Sequence, residues 1–497
     1  MSLANEIKEL GHAGFAGLWV ESVECDDAIE TIRAVATENN WGFDLWDIDR
    51  QLYSGAIQAP GPVQALRFLD EPQAKMPMVL VLKNFHRFMG NPEVLQTLAN
   101  RIIKGQKDGF HIVVVSPVVQ LQPEVEKLFT VVHHELPDGP QLTTICEKLF
   151  GEGSQFEKPS DEEISVVVEA ARGLTRQEAE NAFALSLVRN NKLSPDTIWT
   201  LKSQMLEKTG TLQLYRGDAN FANLGGLENL KQFCLRAMRR QGESVPDRRP
   251  KGVLLLSPPG CGKSQFAKAL GNEVGRPTIM LDFGSLMGKF VGESEGNMRR
   301  ALKQVDAMAP CVLFVDEIEK GLAGVQSSGQ TDSGVSARLF GTLLTWLNDH
   351  TSDVFFIGTC NDATQLPAPF ARAERFDGVF FVDLPGSDQR AAIWDIYLNH
   401  FGLDAAQEKP DDTNWTGAEI KACCRLAALL DVPLTEAALN VVPVAVTSAE
   451  QIENLRNWAA GRCLSADNRG IYHRLAKPAA TSSGRRRVGQ IVSAAKN

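Results

Sequence analysis

Short, nearly uninterrupted apolar runs alternate with amphipathic stretches along this chain, and the pattern occurs twice. In the first 150 residues Gly17–Glu21, Gly42–Ile48, Met78–Leu82 and His111–Val115 read as strands. The last two are apolar at almost every position, which suits strands covered on both faces of a parallel sheet. Asp26–Asn39, between the first two, reads as a helix with acidic residues in its first turn. Strands alternating with helices predict an α/β layer fold. From Asp161 to Gln204 the pattern is helical, and Val166–Ala171 and Arg176–Val188 are periodic and free of proline. A charged connector runs through Lys202 and Lys208 to Arg216. A second α/β unit begins near Phe221 and runs to about Pro385, and helical patterns return over Asp388–Leu430 and Ala449–Ala460. The expected organisation is an α/β domain over 1–150 and a helical, lid-like segment with connector over 151–215. An α/β core over 216–385, helices over 386–475 and a mobile tail over 476–497 complete it.

A short internal repeat supports two copies of one unit. Glu135-Leu-Pro-Asp138 and Gly173-Leu-Thr-Arg-Gln-Glu-Ala179 in the first half correspond to Asp383-Leu-Pro-Gly386 and Trp415-Thr-Gly-Ala-Glu-Ile420 in the second. The length of 497 residues admits about three domains. Hydrophobic residues at 43% and charged residues at 23% exclude a mostly disordered chain or a coiled-coil rod. A net charge of −10 does not suit a nucleic-acid coat, although Arg239-Arg240, Arg248-Arg249 and Arg485-Arg-Arg487 offer short basic spots. No run of 18 apolar residues is present, so no membrane span is expected. The first ten residues do not read as a secretory leader. Nine scattered cysteines, with no C-x-x-C pair, suit reduced thiols in a cytoplasmic protein.

The strongest chemical signal is Gly252-Val-Leu-Leu-Leu-Ser-Pro-Pro-Gly-Cys-Gly-Lys-Ser264, a buried strand running through a Gly/Pro loop into a helix over Ser264–Val274. This is the context of a P-loop, whose backbone N–H groups and helix N-terminus hold phosphate oxygens. Lys263 is expected to reach the β- and γ-phosphates, and Ser264 to ligate Mg²⁺. Ser257 stands where the first glycine of such loops usually is, while Gly260 and Gly262 are retained. Some fifty residues on, Cys311-Val-Leu-Phe-Val-Asp-Glu-Ile318 is a buried strand ending in two carboxylates. Asp316 is assigned to the Mg²⁺ shell and Glu317 to polarising the attacking water, the two tasks that phosphoryl transfer to water requires. Asn361, at the end of the strand Val354–Cys360, is placed between these carboxylates and the γ-phosphate. Arg372 and Arg375 are either surface charge or arginine fingers acting on a neighbouring subunit's nucleotide.

These residues resemble the AAA+ ATPases, in the classical AAA clade, over roughly 216–430. Asn223-Leu-Gly-Gly-Leu227 is similar to the clade's adenine-side segment, and Gly417-Ala418-Glu419 to the segment opening its lid helix. The resemblance therefore implies a nucleotide contact set of Leu224, Gly225, Pro259, Gly260, Cys261, Gly262, Lys263, Ser264, Gln265, Asp316, Gly417 and Ala418, with ATP and Mg²⁺ bound. Within the clade the chain is most similar to the Ycf46 type of plastids and cyanobacteria. The shared stretches are Pro259–Ser264, Val291–Glu295, Ala309–Leu313, Asp316–Lys320 and Arg375–Asp377. Glu374 between the two arginines and Glu419 in the lid depart from the clade's usual glycine and aspartate. The resemblance implies a pore loop with Phe290 flanked by Lys289 and Val291, a second one within Gly321–Gly334, and a homo-oligomeric ring, expected as a hexamer, acting on a protein client. Nucleic-acid remodelling and a nucleotide-gated binding platform stay open as alternatives.

The first half lacks each requirement of the second. Ser22-Val-Glu-Cys-Asp26 follows its first strand without glycine or lysine, Lys83-Asn84 stands where the carboxylate pair would be, and Ser116-Pro117 follows the strand matching Val354–Cys360. It reads as a degenerate ATPase-like domain that does not bind ATP.

Overall fold

The computed structural model describes residues 2–55, 58–71, 77–151, 156–239, 249–286, 293–319, 332–362 and 375–474. Two compact units, Met1–Lys202 and Ser203–Asn497, each carry one sheet.

In the first unit the strands are β1 (Gly17–Glu21), β2 (Gly42–Asp47), β3 (Gln51–Leu52), β4 (Met78–Lys83), β5 (Phe110–Ser116) and β6 (Thr130–His133), in the order β3-β2-β4-β5-β1-β6. All pairs are parallel except β2 with the edge strand β3. The apolar runs are continuous because both faces are covered and successive residues alternate between them. Leu80, Leu82, Ile112 and Val114 pack with Trp19, Leu98 and Ile102 on one face. Val79, Val81, Val113 and Val115 pack with Ile29, Ile32 and Val35 of the helix Cys25–Glu38 on the other.

The second unit holds β7 (Leu212–Tyr215), β8 (Gly252–Leu256), β9 (Thr278–Leu281), β10 (Cys311–Val315), β11 (Val354–Cys360), β12 (Gly378–Phe381) and β13 (Leu464–Ser465), in the order β13-β12-β8-β11-β10-β9-β7. Only β7 runs antiparallel. Read from the β2 edge, β2-β4-β5-β1-β6 matches β9-β10-β11-β8-β12 strand for strand, with an antiparallel partner on the same edge of each. The twofold pattern of the sequence is thus a twofold topology.

Three segments differ from expectation. Lys202 is not part of a solvated connector: it lies in the helix Pro195–Thr209 at 1% exposure. Its Nζ donates to the carbonyls of Ala170 and Arg172, which close the helix Asp161–Ala171 and would otherwise lack donors. The pattern over 388–430 is two helices, Ser387–Phe401 and Gly417–Leu430. Gly402 ends the first in a left-handed C-cap at φ +66, and Pro410 lies in the link. Finally, the helix Ala449–Ala459 places Leu455 and Ala459 in the core beneath the sheet, and β13 pairs with β12. The chain therefore returns from the lid to the α/β core. The expected pore-loop residues Lys289, Phe290 and Val291, positions 321–331 of the expected loop Gly321–Gly334, Arg372 and the tail 476–497 lie outside the described residues, and the last three positions of that expected loop instead open the helix Asp332–Asp349.

Candidate nucleotide-binding site

β8 is buried along its whole length and delivers the chain to the loop 257–262. Ser257 extends the ladder, its N–H donating to the Cys360 carbonyl at 3.1 Å. Its backbone is not left-handed, so no glycine is required there, which accounts for the departure from the usual motif. The turns that do require glycine are at Gly260 (φ +82) and Gly262 (φ +87). A Cβ on Gly260 would lie 2.8 Å from Thr416 Oγ1 and 3.1 Å from Ala418 Cβ, so the loop and the start of the lid helix are in direct contact. Ala418 N–H also donates to the Gly260 carbonyl at 3.2 Å.

Lys263 opens the helix Lys263–Glu273, and its buried side chain turns back across the loop. Nζ donates to Asn361 Oδ1 at 2.7 Å and to the carbonyls of Pro258 and Ser257 at 3.0 and 3.1 Å. Burial lowers its pKa from the ordinary lysine value. Desolvation pushes the Cys261 thiol up to about 11, so it is a protonated, small packing group at neutral pH. Ser264 Oγ donates to Asp316 Oδ2 at 3.1 Å, and Thr359 Oγ1 donates to the other carboxylate oxygen. Thr359 Oγ1 also accepts from Glu317 N–H at 2.8 Å. Asn361 Nδ2 donates to Glu317 Oε1 at 3.0 Å. Glu317 itself sits at φ +47, a left-handed backbone that a side chain seldom adopts and that marks a residue held by its surroundings.

Thr359 and Glu319 also join this hydrogen-bonded set, and neither was expected as a site residue. Thr359, fully buried, ties both carboxylate residues to β11. Glu319, 5% exposed, accepts from Asn361 N–H at 2.8 Å, while its Oε2 has no partner among the described residues. Burial raises its pKa. A threonine inside an apolar strand and a third carboxylate after an acidic pair carry no spacing signal of their own.

A cavity of about 320 Å³ joins these groups. Its lining includes Leu224, Gly225, Pro259, Gly260, Cys261, Gly262, Lys263, Ser264, Gln265, Asp316, Glu317, Asn361, Gly417 and Ala418, fourteen of the residues expected from the sequence. It also includes Gln389, Ile393, Ile396 and Tyr397 of the first lid helix and Asp467 beyond β13, which were not expected. Arg375, just before β12, does not line it. Glu419 completes a capping box with Thr416, whose N–H donates to Glu419 Oε2 at 2.6 Å. A glutamate reaches back across three residues, so it serves better than the clade's aspartate. The donor set suits Mg²⁺, which takes one or two protein oxygens and completes its shell with water and phosphate. Ser264 and Asp316 offer those oxygens, and no cluster of three or more His, Cys, Asp or Glu ligands occurs among the described residues.

The matching place in the first unit is filled by ion pairs. β1 leads into the helix Cys25–Glu38 as β8 leads into Lys263–Glu273. Asp26 pairs with Lys83 at the end of β4, whereas Ser264 meets Asp316 beyond β10. Arg176, where Gly417 stands in the second unit, binds Glu24 Oε2 at 2.9 Å and Asp27 Oδ2 at 3.1 Å. The His134 hydrogen bond, and after it the charge of Arg176, holds the Asp27 carboxyl below its ordinary pKa. The Thr175–Glu178 capping box repeats the one at Thr416–Glu419.

Residues 253–384 match the ATPase family associated with various cellular activities (AAA). Residues 3–134 and 141–209 match the N-terminal and second domains of SpoVK-like AAA ATPases. The chain thus carries an AAA ATPase domain, preceded by two domains of the SpoVK-like AAA ATPase kind. It is similar over nearly its whole length to the uncharacterized AAA domain-containing protein ycf46 of Guillardia theta, at 28% identity over 491 residues, 93% of this chain and 95% of the relative. The Pyropia yezoensis ycf46 protein is 29% identical over 432 residues, 82% and 86% of the two chains. A cell division cycle protein 48 homolog of Archaeoglobus fulgidus is 30% identical over 232 residues, 43% of this chain and 31% of the relative. No single helix among the described residues is long and apolar enough to cross a membrane.

Proposed function

We propose that the chain is an ATP hydrolase with a single working nucleotide site, in its second unit. The observation that carries the reading is one hydrogen-bonded set within one cavity: Lys263 to Asn361, Asn361 to Glu317, and Ser264 to Asp316. Lys263 and the N–H groups of the loop hold the phosphates, with Leu224, Gly225 and the lid residues Gly417 and Ala418 lining the cavity beside the loop. Ser264 and Asp316 hold Mg²⁺, which when bound neutralises charge on the β- and γ-phosphates. Glu317 accepts the proton of the attacking water, and Asn361 fixes the orientation of that carboxylate. The first unit binds no nucleotide, because Glu24, Asp26 and Asp27 would oppose a triphosphate.

Arg375 lies outside the cavity, which supports its use on a neighbour's nucleotide, together with Arg372, in a homo-oligomeric ring, most simply a hexamer. Such a ring remodels or threads a protein client past Phe290, in a reducing compartment such as the cytoplasm. The nine free cysteines agree with that compartment. The test is Glu317→Gln in the full chain. ATP binding is retained and phosphate release stops; unchanged phosphate release refutes the assignment. Phe290→Ala separates threading from a switching platform, because a platform keeps its activity.

A further inference from the structure

The chain beyond the lid returns to the nucleotide cavity, and one carboxylate on it joins both walls. Asp467, two residues past β13, accepts at Oδ1 from Leu227 N–H at 2.9 Å and from Gln389 Nε2 at 2.6 Å. Leu227 ends the 223–227 strip along one wall, and Gln389 stands in the first turn of the lid helix Ser387–Phe401 on the other. The two walls are already close. A Cβ on Gly225 would lie 2.7 Å from Ile393 Cγ1, and one on Gly226 would lie 3.0 Å from Gln389 Nε2. Asp467 is itself anchored to the sheet: Ala466 N–H donates to the Phe381 carbonyl at 3.1 Å, and Leu230 N–H donates to the Ala466 carbonyl at 2.9 Å. The hinge between sheet and lid is tied from the same segment. Asp383 accepts from Arg456 Nε and from the Tyr472 hydroxyl, each at 2.8 Å.

We propose that Asp467 is a positioning residue that holds the 223–227 strip against the lid helix, in the arrangement that lines the nucleotide cavity, and so sets nucleotide affinity rather than the rate of hydrolysis. The proposal rests on the reading of the cavity as an ATP site. Its physical basis is preorganisation. Two hydrogen bonds to one carboxylate fix both walls before the nucleotide arrives, so binding does not have to order them. Asp467 has no place in the reacting set, which is tied together separately through Lys263, Asn361 and Glu317.

The experiment uses the full chain with Asp467→Ala and Asp467→Asn. Affinity for a non-hydrolysable Mg-ATP analogue is measured by calorimetry, and KM and kcat are measured separately. Asp467→Ala is expected to weaken binding and raise KM by about tenfold or more, since two hydrogen bonds to a charged group are lost, with kcat kept within about twofold. Asp467→Asn keeps the Oδ1 acceptor and is expected to restore affinity. A merely structural residue would not give that split with rescue. Equal affinity in wild type and Asp467→Ala overturns the proposal, as does an Asn variant as weak as the Ala variant. If Asp467→Ala does not fold, Gln389→Ala removes the lid arm, together with the Gln389 Oε1 cap on Gly386 N–H, and an unchanged KM there overturns the proposal. A wild-type chain that binds no nucleotide would refute the ATP-site reading itself, which distinguishes the two failures.

Discussion

Gly260 and Gly262 share a backbone conformation but not a neighbourhood, and that difference makes a quantitative prediction. Each has a φ above +80, so alanine at either site carries a left-handed penalty of about 1–2 kcal/mol. The loss of glycine's extra freedom in the unfolded chain offsets about 0.5–1 kcal/mol of that. At Gly262 the new methyl meets only the end of the Leu224 side chain, at 3.2 Å, which can turn away. At Gly260 it meets Thr416 Oγ1 at 2.8 Å, Ala418 Cβ at 3.1 Å and Thr416 Cβ at 3.3 Å. Thr416 is fully buried and caps the helix Gly417–Leu430. Moving it weakens a cap worth about 1 kcal/mol, and also strains the Ala418 bond to the loop. Gly260→Ala should therefore cost about 2–3 kcal/mol and Gly262→Ala about 1 kcal/mol. Urea unfolding of the nucleotide-free chain, following the transition of the second unit, measures both. Only Gly260→Ala should also push the lid from the loop, seen as faster hydrogen exchange at the start of that helix. Equal losses for the two variants, or a larger one for Gly262→Ala, would refute the contact argument.

Glu317→Gln should reduce ATP hydrolysis by about 10²–10⁴-fold while nucleotide affinity is retained, read by phosphate release and calorimetry. Arg176→Ala leaves Glu24, 8% exposed, without its cation, and should destabilise the first unit by about 3 kcal/mol in denaturant unfolding with ATP affinity unaffected. Glu319 has a raised carboxyl pKa, so between the ordinary carboxylate range and that raised value the folded state binds more protons than the unfolded chain. Stability is therefore lost as pH rises through that window. Glu319→Gln, which does not titrate, should gain on wild type as pH rises from about 5 to about 8, checked by urea midpoints at both ends.

The sheets were legible because burial on both faces imposes near-continuous apolar runs, and the phosphate loop because its glycines and lysine serve one geometry. Leu80 and Val81 look alike in sequence yet enter opposite cores, an alternation that any parallel strand implies. Asp467 was not legible. It lies some 200 residues from Lys263 in an unremarkable stretch, and only the return of β13 to β12 brings it to the cavity. Lys202 misled for a related reason: lysine usually signals solvent, and its use here depends on where the helix Asp161–Ala171 ends. Thr359 could not be singled out because a β-branched residue suits a strand whether or not its hydroxyl is used.

The left-handed backbone at Glu317 places robustness and chemistry in opposition at one codon. Glycine would fit that conformation without strain, yet it would remove the carboxylate on which the proposed turnover depends. A breeding experiment that rewards heat tolerance alone therefore favours an inert chain at this position. Any thermostabilised descendant has to be screened for turnover as well as for melting.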